Sequence, residues 1–241
     1  MAGEVVNIKV CSPLKLRSVL TGNYHAICHY SYNLPLGASV TETATTMKDN
    51  KQDIYKIITQ DKVLFFDMDG TLVDTDYANY LSFKQAIQTV INPDFIIPFN
   101  PFERFNRTIL QREFPNLDDK DYQEIIKLKE RLYSENIGQT KLLPYANQIL
   151  NKFFEQNTTV LVTNCREDRA IMTLSQHGLT DKFKHKIFRR SIDKDRHINK
   201  FENALKTLDL EPQMIIAFEN EDFEIEEAVK AGIPIENIIK G

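Results

Sequence analysis

Apolar residues in this chain fall into short runs and longer helical stripes that follow one another in a regular order. The first run, Val63-Leu64-Phe65-Phe66, is bounded by polar residues on both sides, the pattern of a strand covered on both faces in a parallel α/β sheet. Val160-Leu161-Val162 and Ile215-Ile216-Ala217-Phe218 repeat it. Ala146, Ile149, Leu150 and Phe153 recur at helical spacing between those runs, as do Phe201, Ala204, Leu205 and Leu208. Between the first and second runs the pattern changes. Tyr80, Leu81, Phe83, Ala86, Ile87, Val90 and Ile91 make one helical stripe, and Ile125, Ile126, Leu128 and Tyr133 contribute to another, with a proline-bearing stretch from Asn92 to Phe102 separating them. The order predicts an α/β fold with a Rossmann-like parallel sheet formed by residues 61–76 and 140–241, interrupted by a helical insertion over 77–139.

Residues 1–60 form an extension whose role the sequence leaves open. Val6, Ile8 and Val10 alternate with polar residues, as do Tyr24, Ala26, Cys28, Tyr30 and Tyr32, so two strands are expected, marginal by themselves. The Thr-rich stretch from Gly37 to Asn50 predicts a flexible connector, and Ile54, Ile57 and Ile58 begin a short helix into the first core strand. His25, Cys28 and His29 with Cys11 match no standard metal-ligand spacing, and packed or exposed side chains are the better expectation.

Each core strand ends in polar residues, and ligands of parallel α/β sheets bind beyond those carboxyl ends. The first gives Asp67-Met68-Asp69-Gly70-Thr71. Alternation points Asp67 and Asp69 the same way, and Gly70 allows a sharp departure that keeps the backbone near whatever the carboxylates hold. An ordinary Asp-Gly turn is the plainer explanation for two of these residues but not for the whole string. The second strand ends in Thr163-Asn164 and the last in Glu219-Asn220. Lys200 begins the helix that carries Phe201, where a cation opposes the macrodipole, so a purely structural role is disfavoured. Lys194 is its rival, without the following helical pattern.

Asp67-x-Asp69-Gly70-Thr71 after an apolar strand resembles the first signature of the haloacid dehalogenase superfamily, and specifically its phosphatase branch with a helical cap inserted after that motif, as in phosphoglycolate phosphatase and β-phosphoglucomutase. The resemblance covers about residues 61–240. It implies phosphoryl transfer through an aspartyl-phosphate, with Asp67 the nucleophile, Asp69 the general acid and base with a raised pKa, and Thr163 and the N–H of Asn164 gripping the phosphoryl group. Lys200 would offset charge, and Gly70 and Thr71 would form the substrate loop. The cofactor implied is Mg²⁺, held by Asp67, the main-chain carbonyl of Asp69 and the Glu219-Asn220 region. Asn220 departs from the family pattern, which has an aspartate there, so weak metal binding is expected unless Glu219, Asp222 or Glu224 compensates. Arg104 and Arg107 lie in the implied cap within reach of an anionic group, although arginines on a helix face, Arg112 included, are commonly just solvated. Dehalogenation is disfavoured because members doing it lack the second aspartate. Asn79 stands where a phosphomutase keeps a cap histidine, which favours hydrolysis of a small phosphorylated metabolite. A phosphomutase and a non-catalytic member binding a phospholigand or a protein stay as alternatives.

Composition narrows the partners. The chain has 241 residues, a net charge of −4 and no basic stripe interleaved with aromatics, so nucleic acid is not an expected partner. No run approaches membrane-spanning length, and three cysteines without paired spacing point to a reducing, cytoplasmic setting. Oligomeric state is not legible.

Overall fold

A computed structural model describes residues 54–189 and 198–241. The expected strands around Val6 and Tyr24, the connector, the His and Cys residues before residue 30, and Lys194 lie outside the described residues. Residues 54–57 are helical; Ile54 and Ile58 are buried, while Ile57 turns to solvent.

Five parallel strands form the sheet in the order β5-β4-β1-β6-β7: β1 (Val63–Phe66), β4 (Thr158–Val162), β5 (His185–Ile187), β6 (Ile215–Glu219) and β7 (Ile238–Lys240). From β1 the chain moves outward through β4 and β5, then crosses back to lay β6 on the other side of β1. The strand order therefore reverses between β1 and β6, and a parallel sheet opens a crevice at the carboxyl ends of the two strands flanking such a switch. Asp67 follows β1 and Asn220 follows β6.

Alternation along each strand divides the core into two layers. Leu64, Phe66, Leu161, Ile216 and Phe218 face helices α4 (Pro144–Phe153) and α5 (Glu167–Gln176), meeting Ala146, Ile149, Leu150, Phe153, Ala170 and Leu174. Phe66 and Phe218 stack there, with ring centroids 4.5 Å apart and planes 6° apart. Val63, Phe65, Val160, Val162, Ile215 and Ala217 face the other way onto Phe201, Ala204 and Leu205 of α6 (Lys200–Leu208) and Ala228 of α7 (Asp222–Lys230). Both stripes expected for core helices are thus buried against the sheet.

Between β2 (Val73–Asp74) and β3 (Lys141–Leu142) the chain forms α1 (Asp76–Val90), α2 (Arg107–Glu113) and α3 (Asp119–Asn136). They have an apolar cluster of their own, in which Tyr80, Phe83, Ala86 and Ile87 meet Leu110, Ile125 and Ile126. Ile91, expected in the first stripe, lies past the end of α1 and is exposed. β2 and β3 pair antiparallel, Val73 opposite Leu142, so the chain enters and leaves the helical insertion side by side. Asn147 of α4 braces this junction by donating to the carbonyl of Leu72 at 2.6 Å.

Candidate active site

The chain turns sharply after β1 because Gly70 adopts φ +89°, a left-handed conformation that glycine enters without a Cβ clash. Space requires the glycine as well: a Cβ there would lie 2.5 Å from Nδ2 of Asn220. The turn brings Thr71 beside the end of β6, where its hydroxyl donates to Oδ1 of Asn220 at 3.0 Å.

Lys200 occupies the centre of a buried acidic group. Asn199 caps α6, its side chain accepting from the N–H groups of Phe201 and Glu202, which fixes Lys200 in the first helical turn. Its ammonium donates to Oδ1 of Asp67 and to Oε2 of Glu219, both at 2.7 Å, and lies 3.6 Å from Oε2 of Glu224. Glu219 uses its other oxygen to accept from the N–H groups of Asn220 and Glu221, and Glu224 accepts from the side-chain amide of Asn164 at 2.8 Å. Burial lowers the affinity of Lys200 for its proton, but Asp67, Glu219 and Glu224 outweigh that effect and raise its pKa. For Asp67 burial dominates, and with Glu219 it lifts the carboxyl well above the usual range against the pull of Lys200.

Thr163 lies at the end of β4, buried, with its N–H on the carbonyl of Ile187 and its oxygen accepting from the N–H of Cys165 at 3.1 Å. That bond uses the oxygen as acceptor and leaves the hydroxyl proton for another partner.

Asp69 departs from expectation. Its Oδ1 meets Arg169 at 3.0 Å, Arg104 at 3.2 Å and the hydroxyl of Thr75 at 2.5 Å. Burial acts to raise its pKa, but the two guanidinium groups and Thr75 overcome this and hold it far below the ordinary carboxylate range. The raised value that acid catalysis calls for is therefore absent in this arrangement, because two cations stabilise the ionised form. Arg104 comes from the insertion, in the segment before α2, and also approaches Asp76 at 3.5 Å.

Arg107 is exposed at the start of α2 and does not reach the aspartates, whereas Arg112 pairs with Glu103 and Glu113 at the surface. Asp222 pairs with Lys240, and Asn79 is buried, donating to the carbonyl of Phe105 at 2.5 Å. Arg169 was not legible as a site residue. It follows Glu167 and Asp168, so it resembles a solvated surface charge, and one position separates it from the stripe of Ala170 and Leu174.

Lys129 also escaped notice, although the sequence signals it. It stands four residues from both Ile125 and Tyr133, on the apolar stripe of α3, and it is 4 % exposed. Burial and the nearby Arg169, opposed by Glu130, lower its pKa from 10.5 to about 8. The folded chain therefore releases this proton before the unfolded chain does, and between pH 8 and 10.5 that difference makes stability rise with pH. Lys129→Met should raise the melting temperature at pH 7 and remove this lysine's share of the rise at alkaline pH, both measurable by thermal unfolding.

Among the described residues no three Asp, Glu, His or Cys side chains converge as a ready metal cage, since Lys200 stands among the acids. No helix of the described residues is long and apolar enough to cross a membrane.

The site is thus a doubly wound parallel sheet with Asp67 and Asp69 beyond its central strand, Lys200 of α6 reaching Asp67 and two arginines reaching Asp69. Residues 64–238 match the family model for haloacid dehalogenase-like hydrolases, and the chain belongs to that family. Its fold is similar to a haloacid dehalogenase-like hydrolase from Streptococcus pneumoniae (20 % identity, 73 % of this chain and 83 % of that one, TM-score 0.57). It is also similar to a protein from Haemophilus somnus described as a predicted phosphoglycolate phosphatase (21 % identity, 73 % and 84 % covered, TM-score 0.60). A third similar structure is CbbY from Rhodobacter sphaeroides in complex with phosphate (14 % identity, 75 % and 86 % covered, TM-score 0.60).

Proposed function

We propose that the chain is a Mg²⁺-dependent phosphatase that hydrolyses a small phosphorylated metabolite through a phosphoaspartate at Asp67. The observation that carries this reading is the setting of that carboxylate. It is buried at the switch point of the sheet, with one oxygen held by Lys200 at 2.7 Å and the other left to attack phosphorus. A bond forms from this oxygen to phosphorus as the bond to the alcohol oxygen breaks. Thr163 and the N–H of Asn164, one strand away, suit the phosphoryl oxygens, and Lys200 balances the charge. Asp69 gives a proton to the leaving oxygen and takes one from the water that then releases phosphate. For that role Asp69 must first be freed from Arg104, which the insertion carries, because Asp69 remains ionised while both arginines hold it. The buried amide of Asn79, already bonded to the carbonyl of Phe105, supplies no acid for a mutase cycle and favours water as the acceptor.

The donors present suit a hard cation: the Asp67 carboxylate, the Asp69 carbonyl and the Asn220 amide oxygen are all oxygens, and three acids around one ammonium leave negative charge in excess. Bound there, Mg²⁺ neutralises charge on the phosphoryl group. Turnover of a panel of phosphate monoesters with Mg²⁺, lost on chelation, tests the reading; no turnover of any ester would overturn it.

Asn220 supplies no charge to the ion, and Glu219 has both oxygens committed elsewhere. Asn220→Asp should therefore tighten Mg²⁺ binding by about tenfold, read by calorimetry, with Thr71 still able to donate to the new carboxylate. Unchanged or weaker binding would mean that another residue holds the metal.

A further inference from the structure

The segment between α1 and α2 encloses a cavity of about 230 Å³ that is lined by the insertion alone. Its walls are largely aromatic: Tyr80 of α1, Phe95, Phe99 and Phe105 of the segment, and Phe114 at the end of α2. An apolar cavity of about 150 Å³ admits a benzene ring, so this one has room for a group of that size. Tyr80 and Phe105 are buried, whereas Phe95 and Phe99 are 40 % and 39 % exposed, which gives the cavity a floor and an open side.

The walls are held apart rather than left to collapse. From α1, Tyr80 donates to the carbonyl of Ile97 at 2.6 Å and Gln88 to that of Phe95 at 3.0 Å. Phe95 packs on Phe114 and Phe99 on Tyr80, with ring centroids 5.0 Å apart in both pairs. Between them Pro98 restricts the backbone. The segment is therefore tied to both helices, and the hydroxyl of Tyr80 is already spent.

Charge at the mouth is not balanced. Arg112 donates to both oxygens of Glu103, at 2.8 and 3.0 Å, and to Glu113 at 3.0 Å, so one guanidinium serves two carboxylates. Arg104, the other cation of the wall, is met by Asp69 at 3.2 Å and by Asp76 at 3.5 Å. The lining thus holds three acids and two arginines among its aromatic rings. Ring faces and surplus carboxylate both favour positive charge. A neutral apolar guest would gain burial but nothing from the carboxylates, and a bare inorganic cation would lose its hydration against the rings.

We propose that this cavity binds an organic cation, a quaternary or alkyl-substituted ammonium group, at a site separate from the crevice that holds Asp67. The apolar substituents fill the aromatic walls while the charge faces the Glu103–Arg112–Glu113 cluster.

The test is calorimetry on the full chain with choline and with 3,3-dimethylbutan-1-ol, the neutral carbon analogue of the same shape. Choline should bind at least about fivefold more tightly. Phe99→Leu keeps an apolar side chain but removes the ring, and Glu113→Gln removes the surplus carboxylate; each should bring that ratio towards one. Phe99 is 39 % and the Glu113 side chain 51 % exposed, so the fold should tolerate both changes. Phe102→Leu, at a ring that is 86 % exposed and does not line the cavity, should leave the ratio in place. Equal or tighter binding of the alcohol, a ratio that survives Phe99→Leu or Glu113→Gln, an equal loss in Phe102→Leu, or no binding of either probe would overturn the site. Neither probe is a phosphate ester, so the outcome is independent of the phosphatase reading.

Discussion

Asp67→Asn is expected to reduce turnover of any phosphate ester by about four orders of magnitude or more, the loss that removal of a nucleophile produces. The substitution preserves volume and takes one negative charge from a group in which three acids surround a single ammonium, so Lys200 keeps its bond to Glu219 at 2.7 Å. The fold should survive. Burial already raises the pKa of Asp67, meaning that the ionised form is maintained there at some cost, and a neutral amide relieves it. The melting temperature should therefore be unchanged or slightly higher while activity disappears. The same variant should fail to form the beryllium fluoride adduct that the wild-type chain forms. Turnover comparable to wild type would remove Asp67 from the mechanism.

The three central strands were legible because they carry unbroken apolar runs with polar residues at their carboxyl ends, a pattern enforced by burial on both faces, whereas the edge strands His185–Ile187 and Ile238–Lys240 are short, only partly buried and carry no such pattern. The residues at those ends were legible for the same reason: once Val63–Phe66 and Ile215–Glu219 are adjacent strands, Asp67 and Asn220 must lie near each other. Lys200 followed from a cation placed against the helix dipole. What remained hidden depends on contacts between distant segments. Nothing local distinguishes Arg104 from Arg112, yet one reaches Asp69 and the other lies on the surface against Glu103. Arg169 sits among acidic neighbours and looks solvated, although it is drawn inward by Asp69, a hundred residues earlier in the chain. The expected raised pKa of Asp69 failed for that reason: the sequence shows the carboxylate but not the two cations that converge on it.

Lys200→Met is expected to destabilise the fold by about 3–5 kcal/mol, because it removes the one cation from among Asp67, Glu219 and Glu224 and leaves buried carboxylates uncompensated. The direction of the pH dependence follows from the pKa shifts. In the wild type Lys200 has a folded-state pKa above its unfolded value of 10.5, so its contribution is fully present across the neutral range and is lost only as the pH rises past that value. In the variant Asp67, already raised by burial, loses the cation that lowers it and rises further. A carboxylate raised in the folded state favours folding below its unfolded pKa, and that contribution is lost as the pH climbs through the folded value. The stability gap between variant and wild type should thus be smaller at pH 5 than at pH 8, as measured by denaturant unfolding at both. Activity should be lost at every pH, since protonating Asp67 restores stability and removes the nucleophile together. An equal gap at the two pH values would show that Lys200 contributes through packing rather than through the charge it balances.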